Sequence, residues 1–144
     1  MRRCSIAFCL VALLATTAPA HSAETTLAVI VHRDSTVQLT RHELVRIYLK
    51  QRRFWDDGSP IVALNRESGS RERESFSVAV LGSESRSLAA YWNQQYFQGV
   101  FPPATLSSGA AVKRYVATNY GAIGYIDAAD VDASVRVVFR VRAP

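Results

Sequence analysis

Apolar positions along this chain form two kinds of pattern, short continuous runs and helical spacings, and the two alternate. Leu27 to Val31 is a continuous apolar run, the pattern of a strand covered on both faces. Thr40-Arg41-His42-Glu43 then fits a capping box, in which the threonine hydroxyl and the glutamate carboxylate satisfy free backbone N–H groups at a helix start. Leu44, Ile47 and Tyr48 follow at helical spacing, which predicts a helix from about Arg41 to Lys50. Trp55-Asp56-Asp57-Gly58-Ser59-Pro60 has turn composition, and Ile61 to Leu64 reads as a second buried strand. A polar stretch, Asn65 to Arg73, leads into helical spacing at Phe76 to Leu81, and this helix should end at Gly82.

Another helix starts at Ser83 to Ser87, with Leu88, Tyr91, Trp92, Gln95 and Tyr96 on one face. Such an aromatic stripe is expected to pack in the core against a sheet. Gly99 to Ser108, with Pro102-Pro103 inside it, reads as a loop. Val112, Tyr115 and Val116 mark a further helix, stopped by Asn119 to Gly121. Gly121 to Ile126 is a turn leading into a strand, and Val135 to Val141 is a last, partly alternating strand. Strands separated by helices define an α/β domain with helices packed on a small sheet. Ligands in such domains sit beyond the carboxyl ends of the strands, where Asn65 and Arg66 stand.

The first residues read differently. Arg2 and Arg3 precede a short apolar stretch, Ile6 to Ala15, and Ala18-Pro19-Ala20 supplies small residues for cleavage after Ala20, with Ala23 as the second choice. Residues 1–23 are therefore expected to be a secretory signal peptide and residues 24–144 one exported domain, soluble in the periplasm. Both cysteines, Cys4 and Cys9, fall in the leader, so the mature domain carries no disulfide. Removing Arg2 and Arg3 lowers the formal charge from +5 to +3. Lys50 and Lys113 are the only lysines, so the cationic character is arginine, whose planar fork suits carboxylate and phosphate. Export makes nucleic acid a poor partner, and the basic run Lys50-Gln51-Arg52-Arg53 is a weak signal for anionic lipid or a partner protein.

The candidate chemistry lies in Asn65-Arg66-Glu67-Ser68-Gly69-Ser70-Arg71-Glu72-Arg73. A strand that ends in a Ser/Gly turn and opens a helix presents unpaired N–H groups and partial positive charge. Arg66 and Arg73 would add charge, Ser68 and Ser70 hydroxyls, and Gly69 to Arg71 backbone donors. Phosphate is the first candidate ligand. The set Glu67, Glu72 and Glu74 reads as a solvated helix start. Enzyme chemistry is not indicated: His32 and His42 lack metal-ligand spacing, Gly69-Ser70 lacks a nucleophile-elbow pattern, and Asp56-Asp57 is turn chemistry. No catalytic residue, metal site or cofactor is assigned.

The order of motifs resembles a known family. Thr40-Arg41-x-Glu43-Leu44-x-x-Ile47-Tyr48-Leu49, the Trp55 loop and Pro60-Ile61-Val62 are followed by Asn65-Arg66-Glu67-Ser68-Gly69-Ser70-x-x-Arg73-Glu74-x-Phe76 and by Gly121-Ala122-Ile123-Gly124-Tyr125. Together these resemble the PstS-like phosphate-binding proteins of ABC transporters, within the type 2 periplasmic binding proteins. The resemblance implies a single lobe of that fold, a small mixed sheet with helices packed on it. It also implies ligand contacts from Arg66, Gly69 and Ser70, with Ser68, Arg71 and Arg73 beside them. The family commonly has Gly-Ser-Gly-Thr where this chain has Gly69-Ser70-Arg71-Glu72, so a bulky cation and an anion replace a glycine and a hydroxyl.

Two functions follow. One is an exported domain that recognises phosphate or a similar oxyanion, tied to uptake or sensing through an inner-membrane transporter or sensor, with a homodimer as one way to cover the ligand. The other is an interaction or sensory-accessory module derived from the same lobe without a small ligand.

Overall fold

The computed structural model describes residues 25–143, so the expected leader lies outside the described residues. Five strands, β1 (Thr25–His32), β2 (Val62–Arg66), β3 (Ala104–Leu106), β4 (Ala122–Asp127) and β5 (Val135–Ala143), form one sheet in the order β3-β2-β4-β1-β5. β2 runs parallel to β3 and β4, while β1 runs antiparallel to β4 and β5, so the sheet is mixed. Around it lie α1 (Arg41–Tyr48), α2 (Arg71–Phe76), α3 (Ala89–Phe97) and α4 (Gly109–Thr118).

The apolar runs are continuous because the sheet is covered on both faces. Leu27, Val29 and Val31 of β1 join Ile123 and Tyr125 of β4 in a core with Leu44, Ile47 and Phe76 from α1 and α2. Ala28 and Ile30 point the other way, with Ala122 and Ile126, onto Val112 and Val116 of α4. Alternate residues of one strand thus feed two cores, and no polar face is left to interrupt the run.

Local signals act as expected at several ends. Thr40 Oγ1 accepts from Glu43 N at 3.3 Å and Glu43 Oε2 accepts from Thr40 N at 2.8 Å, completing the capping box. The α1 helix stops at Tyr48, short of the expected Lys50, because the chain turns out through Lys50 at φ 59 while Gln51 N and Arg52 N both donate to Arg46 O. After α2 the backbone loosens into a π-helical turn, Ser77–Leu81, which Gly82 ends in the left-handed conformation at φ 72.

Other expectations are corrected. β2 runs to Arg66 rather than ending at Leu64, because a strand forms within the stretch read as a loop: β3 pairs Asn65 with Thr105 and Arg66 with Leu106. Three residues are too few to show alternation, so only the sheet makes β3 a strand. The aromatic stripe of α3 is not core. None of its residues is fully buried, and Tyr96 is 61% exposed. The sheet face it would have covered is already taken by α1 and α2. The basic run is also partly absorbed, since Arg52 pairs with Glu43 at 3.1 Å and Asp56 at 2.8 Å and lies over the Trp55 ring.

Gly124 shows how closely α4 sits on the sheet. A Cβ there would overlap Val112 Cγ1, so only glycine lets the helix approach. Gly124→Ala should cost about 1–3 kcal/mol of stability in urea unfolding, and adding Val112→Ala should recover part of the loss if overlap is the cause.

Candidate functional site

The candidate loop hangs from the carboxyl end of β2, and two tyrosine hydroxyls hold that end. Tyr48 of α1 donates to the Leu64 carbonyl at 3.2 Å. Tyr125 of β4 donates to Asn65 Oδ1 at 3.0 Å and accepts from the Arg66 backbone N–H at 3.2 Å. Both rings pack with Phe76: Tyr125 stacks on it at 4.0 Å between centroids, and Tyr48 tilts against it at 4.6 Å. Burial pushes the Tyr48 phenol well up and the Tyr125 phenol up to about 12. Both stay neutral donors at ordinary pH. Neither hydroxyl was assigned a role from sequence; the available signal was tyrosine, rather than phenylalanine, inside an apolar run, since a buried phenol needs a partner.

Beyond the pinned strand end, Gly69 takes φ 82 and the Ser70 N–H donates to the Glu67 carbonyl at 3.2 Å, closing a tight turn. Ser70 caps α2, its hydroxyl accepting from Arg73 N at 3.2 Å. Its proton is left to donate elsewhere. Arg73 reaches back so that Nη1 donates to the Arg66 carbonyl at 3.1 Å.

Arg66 is the central charge and is already engaged. Its side chain is 10% exposed and donates Nε to Glu67 Oε2 at 2.8 Å and Nη2 to Glu67 Oε1 at 3.0 Å, with Glu72 Oε2 at 3.7 Å from Nη2. This two-pronged pairing holds the Glu67 carboxyl below its ordinary value and pushes the Arg66 guanidinium up. Glu67 and Glu72 are therefore not merely a solvated helix start: they partly neutralise the arginine. Glu74 is engaged too, accepting from Ser85 Oγ at 2.6 Å and Ser85 N at 3.3 Å.

A cleft of about 330 Å³ opens beside this turn, lined by Ser68, Gly69, Arg73, Glu74, Glu84, Ser85 and Arg86. Three of the six candidate residues, Ser68, Gly69 and Arg73, line it together. Ser70 is the helix cap, Arg66 is a paired charge whose Nη1 lies beside Gly109 at the start of α4, and Arg71 is exposed; none of the three lines the cleft. Glu84, Ser85 and Arg86 were missed because they come from the segment after Gly82, which only the tertiary fold brings opposite the turn. The cleft offers hydroxyls and guanidinium groups in a balance of two arginines and two glutamates. Among the described residues no cluster of His, Cys, Asp or Glu could hold a metal ion. His32 ends β1 beside Tyr120 and His42 is exposed in the first turn of α1, away from this cleft.

A family model described as the PBP superfamily domain matches residues 23–139, and the chain belongs to that superfamily. Its structure is similar to one from Clostridium perfringens assigned as a phosphate ABC transporter substrate-binding protein with bound phosphate (TM-score 0.65, 28% identity, 80% of this chain and 44% of that one). It is also similar to an ABC-type phosphate transport receptor from Vibrio cholerae (TM-score 0.65, 26% identity, 80% and 46%). PstS from Borrelia burgdorferi shares the fold (TM-score 0.60, 15% identity, 80% and 47%). The chain spans less than half the length of these three proteins. No curated protein matches it. The mixed sheet and its helices are those of a PBP-like lobe, and the solved structures it resembles are substrate-binding proteins rather than enzymes.

Tyr125→Phe removes the partner of Asn65 Oδ1 and of the Arg66 N–H and should cost about 1–3 kcal/mol at neutral pH. Because the folded phenol titrates above its ordinary value of 10.0, its share of the stability is complete below about pH 10. That share is lost as pH rises toward 12. The substituted protein should show a shallower fall in unfolding free energy over that interval.

Proposed function

We infer that this chain is an exported PstS-like domain that recognises an oxyanion, phosphate first, at the turn between β2 and α2. The observation that carries the reading is the combination of Ser68, Gly69 and Arg73 on one cleft wall with the Ser70 cap that starts α2. Similarity to a substrate-binding protein with phosphate bound supports the choice of ligand. Binding would use Arg73, the Ser68 and Ser70 hydroxyls and the backbone N–H groups of Gly69 to Arg71. Arg66 would join by exchanging Glu67 for the ligand. No bond is made or broken in this role. The domain would serve uptake or sensing in the periplasm, delivering its state to an inner-membrane transporter or sensor. Among the described residues no helix is long and apolar enough to cross a membrane, so such a partner would supply the membrane part.

Glu67 sets the strength of this site, because the ligand must displace a carboxylate already seated on the Arg66 fork. Calorimetric titration with phosphate should therefore give weak binding to the native protein. Glu67→Gln should tighten it by about tenfold, the order of one charged hydrogen bond, and Arg66→Ala should abolish it. Absence of heat with both the native protein and Glu67→Gln, in phosphate and in sulfate alike, would sink the oxyanion reading.

One observation favours a second reading. With Glu67 and Glu72 both on Arg66, the turn is electrostatically closed without any ligand, as suits a module that contacts a protein instead of a small anion. On that reading the titrations above stay flat while Glu67→Gln still folds.

A further inference from the structure

Alternation along β2 sends its last residues to opposite faces of the sheet. Leu64 belongs to the core formed with Val112 and Val116 of α4, and Arg66, two residues on, is turned to that same face. Asn65 is turned to the other face, where the Tyr125 hydroxyl donates to it. Arg66 therefore lies on the side of α4, whereas the cleft with Ser68 and Arg73 opens beside α2. The approach to α4 is close: a Cβ on Gly109, its first residue, would stand 3.2 Å from Arg66 Nη1.

The Arg66 guanidinium has two edges, and one of them is unused. Nε and Nη2 share the edge that Glu67 grips, and Glu72 approaches Nη2 as well. Nη1 is on the opposite edge and donates to no group among the described residues. Arg66 is 8% exposed, so this unpaired donor sits on a nearly buried side chain. It is not sealed from solvent, however: among the described residues Arg136 Nε is the one fully buried side-chain donor without a partner.

Beside Nη1, the first turn of α4 has donors to spare. Ser108 caps it, its hydroxyl accepting from Ala111 N at 3.1 Å, and the N–H groups of Gly109 and Ala110 have no partner among the described residues. This end of a ten-residue helix carries partial positive charge. A guanidinium and a helix start of the same sign repel each other unless an anion lies between them. The topology places both at a ligand crevice. β2 and β3 are parallel neighbours with Arg66 level with Leu106, and the helices α2 and α4 pack on opposite faces of the sheet. Ligands of α/β sheets bind beyond the strand ends at such a parting.

We propose that the start of α4 holds an oxyanion of the phosphate and sulfate class, bound between Arg66 Nη1 and the N–H groups of Gly109 and Ala110. This is a second position, on the other edge of Arg66 from Glu67 and apart from the cleft lined by Ser68 and Arg73. It rests on the oxyanion reading above for its class of ligand, but no carboxylate has to leave Arg66 for it to fill. Gly109 makes the room, since any side chain there presses on Nη1. Glu67 and Glu72 keep the affinity low, because both repel an anion from across the guanidinium.

Amide NMR spectra of the isotope-labelled protein, followed during titration with phosphate and with sulfate, test this. The Gly109 and Ala110 amide protons should move saturably, and sodium chloride at matched ionic strength should leave them in place. Gly109→Pro deletes one donor at the first helical position, where proline is tolerated and the preceding Ser108 is already extended at φ -157 and ψ 158. It should weaken the Ala110 response at least about tenfold, the order of one charged hydrogen bond. Gly109→Ala keeps the N–H and only crowds Nη1, so it should weaken the response less than Gly109→Pro does. Movement of Gly69 while Gly109 and Ala110 stay still would overturn this position and leave the cleft reading standing. Movement of none of the three, in phosphate and in sulfate alike, would overturn both. Shifts that chloride reproduces, or that Gly109→Pro leaves at full strength, would overturn the α4 position alone.

Discussion

The stacking of Tyr125 on Phe76, with Tyr48 against both, is the contact on which the rest of this structure depends. It joins α1, α2 and β4 at one point, and the two phenols use their hydroxyls to hold the end of β2. Aromatic pairs of this kind contribute about 0.5–1.5 kcal/mol each beyond their burial. The hydroxyls add something burial alone cannot, a defined direction for the backbone leaving the sheet. Without them the turn from Glu67 to Ser70 would have an apolar floor but no fixed starting point. The buried phenols remain neutral, so this floor does not compete electrostatically with the arginine above it.

Charge around the turn is arranged in opposition. Arg66 lies low, nearly buried and gripped by Glu67, while Arg73 folds back onto the carbonyl of the same residue. A charge brought this far out of water must be paired, and Glu67 supplies the pair from the adjacent position. Glu72, where the family commonly has a hydroxyl, adds a second anion at 3.7 Å. The turn combines a left-handed Gly69 and a Ser70 helix cap with an arginine that is compensated from within the chain.

Helix and strand signals with a local cause were legible. The capping box at Thr40, the left-handed stop at Gly82 and the double-sided runs at Leu27 to Val31 all act through neighbours in sequence or through simple alternation. The position of the candidate turn at the end of β2 was legible for the same reason. The pairing of Arg66 with Glu67 was not, because adjacent residues in a strand normally point to opposite faces, and they meet here only as the strand gives way to a turn. The opposite wall of the cleft, from Glu84 to Arg86, was equally invisible, since nothing near it in sequence indicates what it faces.

The aromatic stripe of α3 draws the boundary most sharply. By itself the sequence determined that these rings lie on one side of a helix, because 3.6 residues per turn is a local property. Whether that side faces a sheet or water depends on which surfaces remain uncovered once α1, α2 and α4 are in place, and in this fold none was left for it. The same division holds for β3. Pairing with β2 is a relation between residues about forty positions apart (Leu64 with Ala104), and three residues carry no pattern of their own to announce it. The chain's local chemistry thus settled the elements and their ends. The tertiary structure alone decided which faces are buried, which charges meet and which aromatic surface stays in water, because these are outcomes of competition among distant segments for the same contacts.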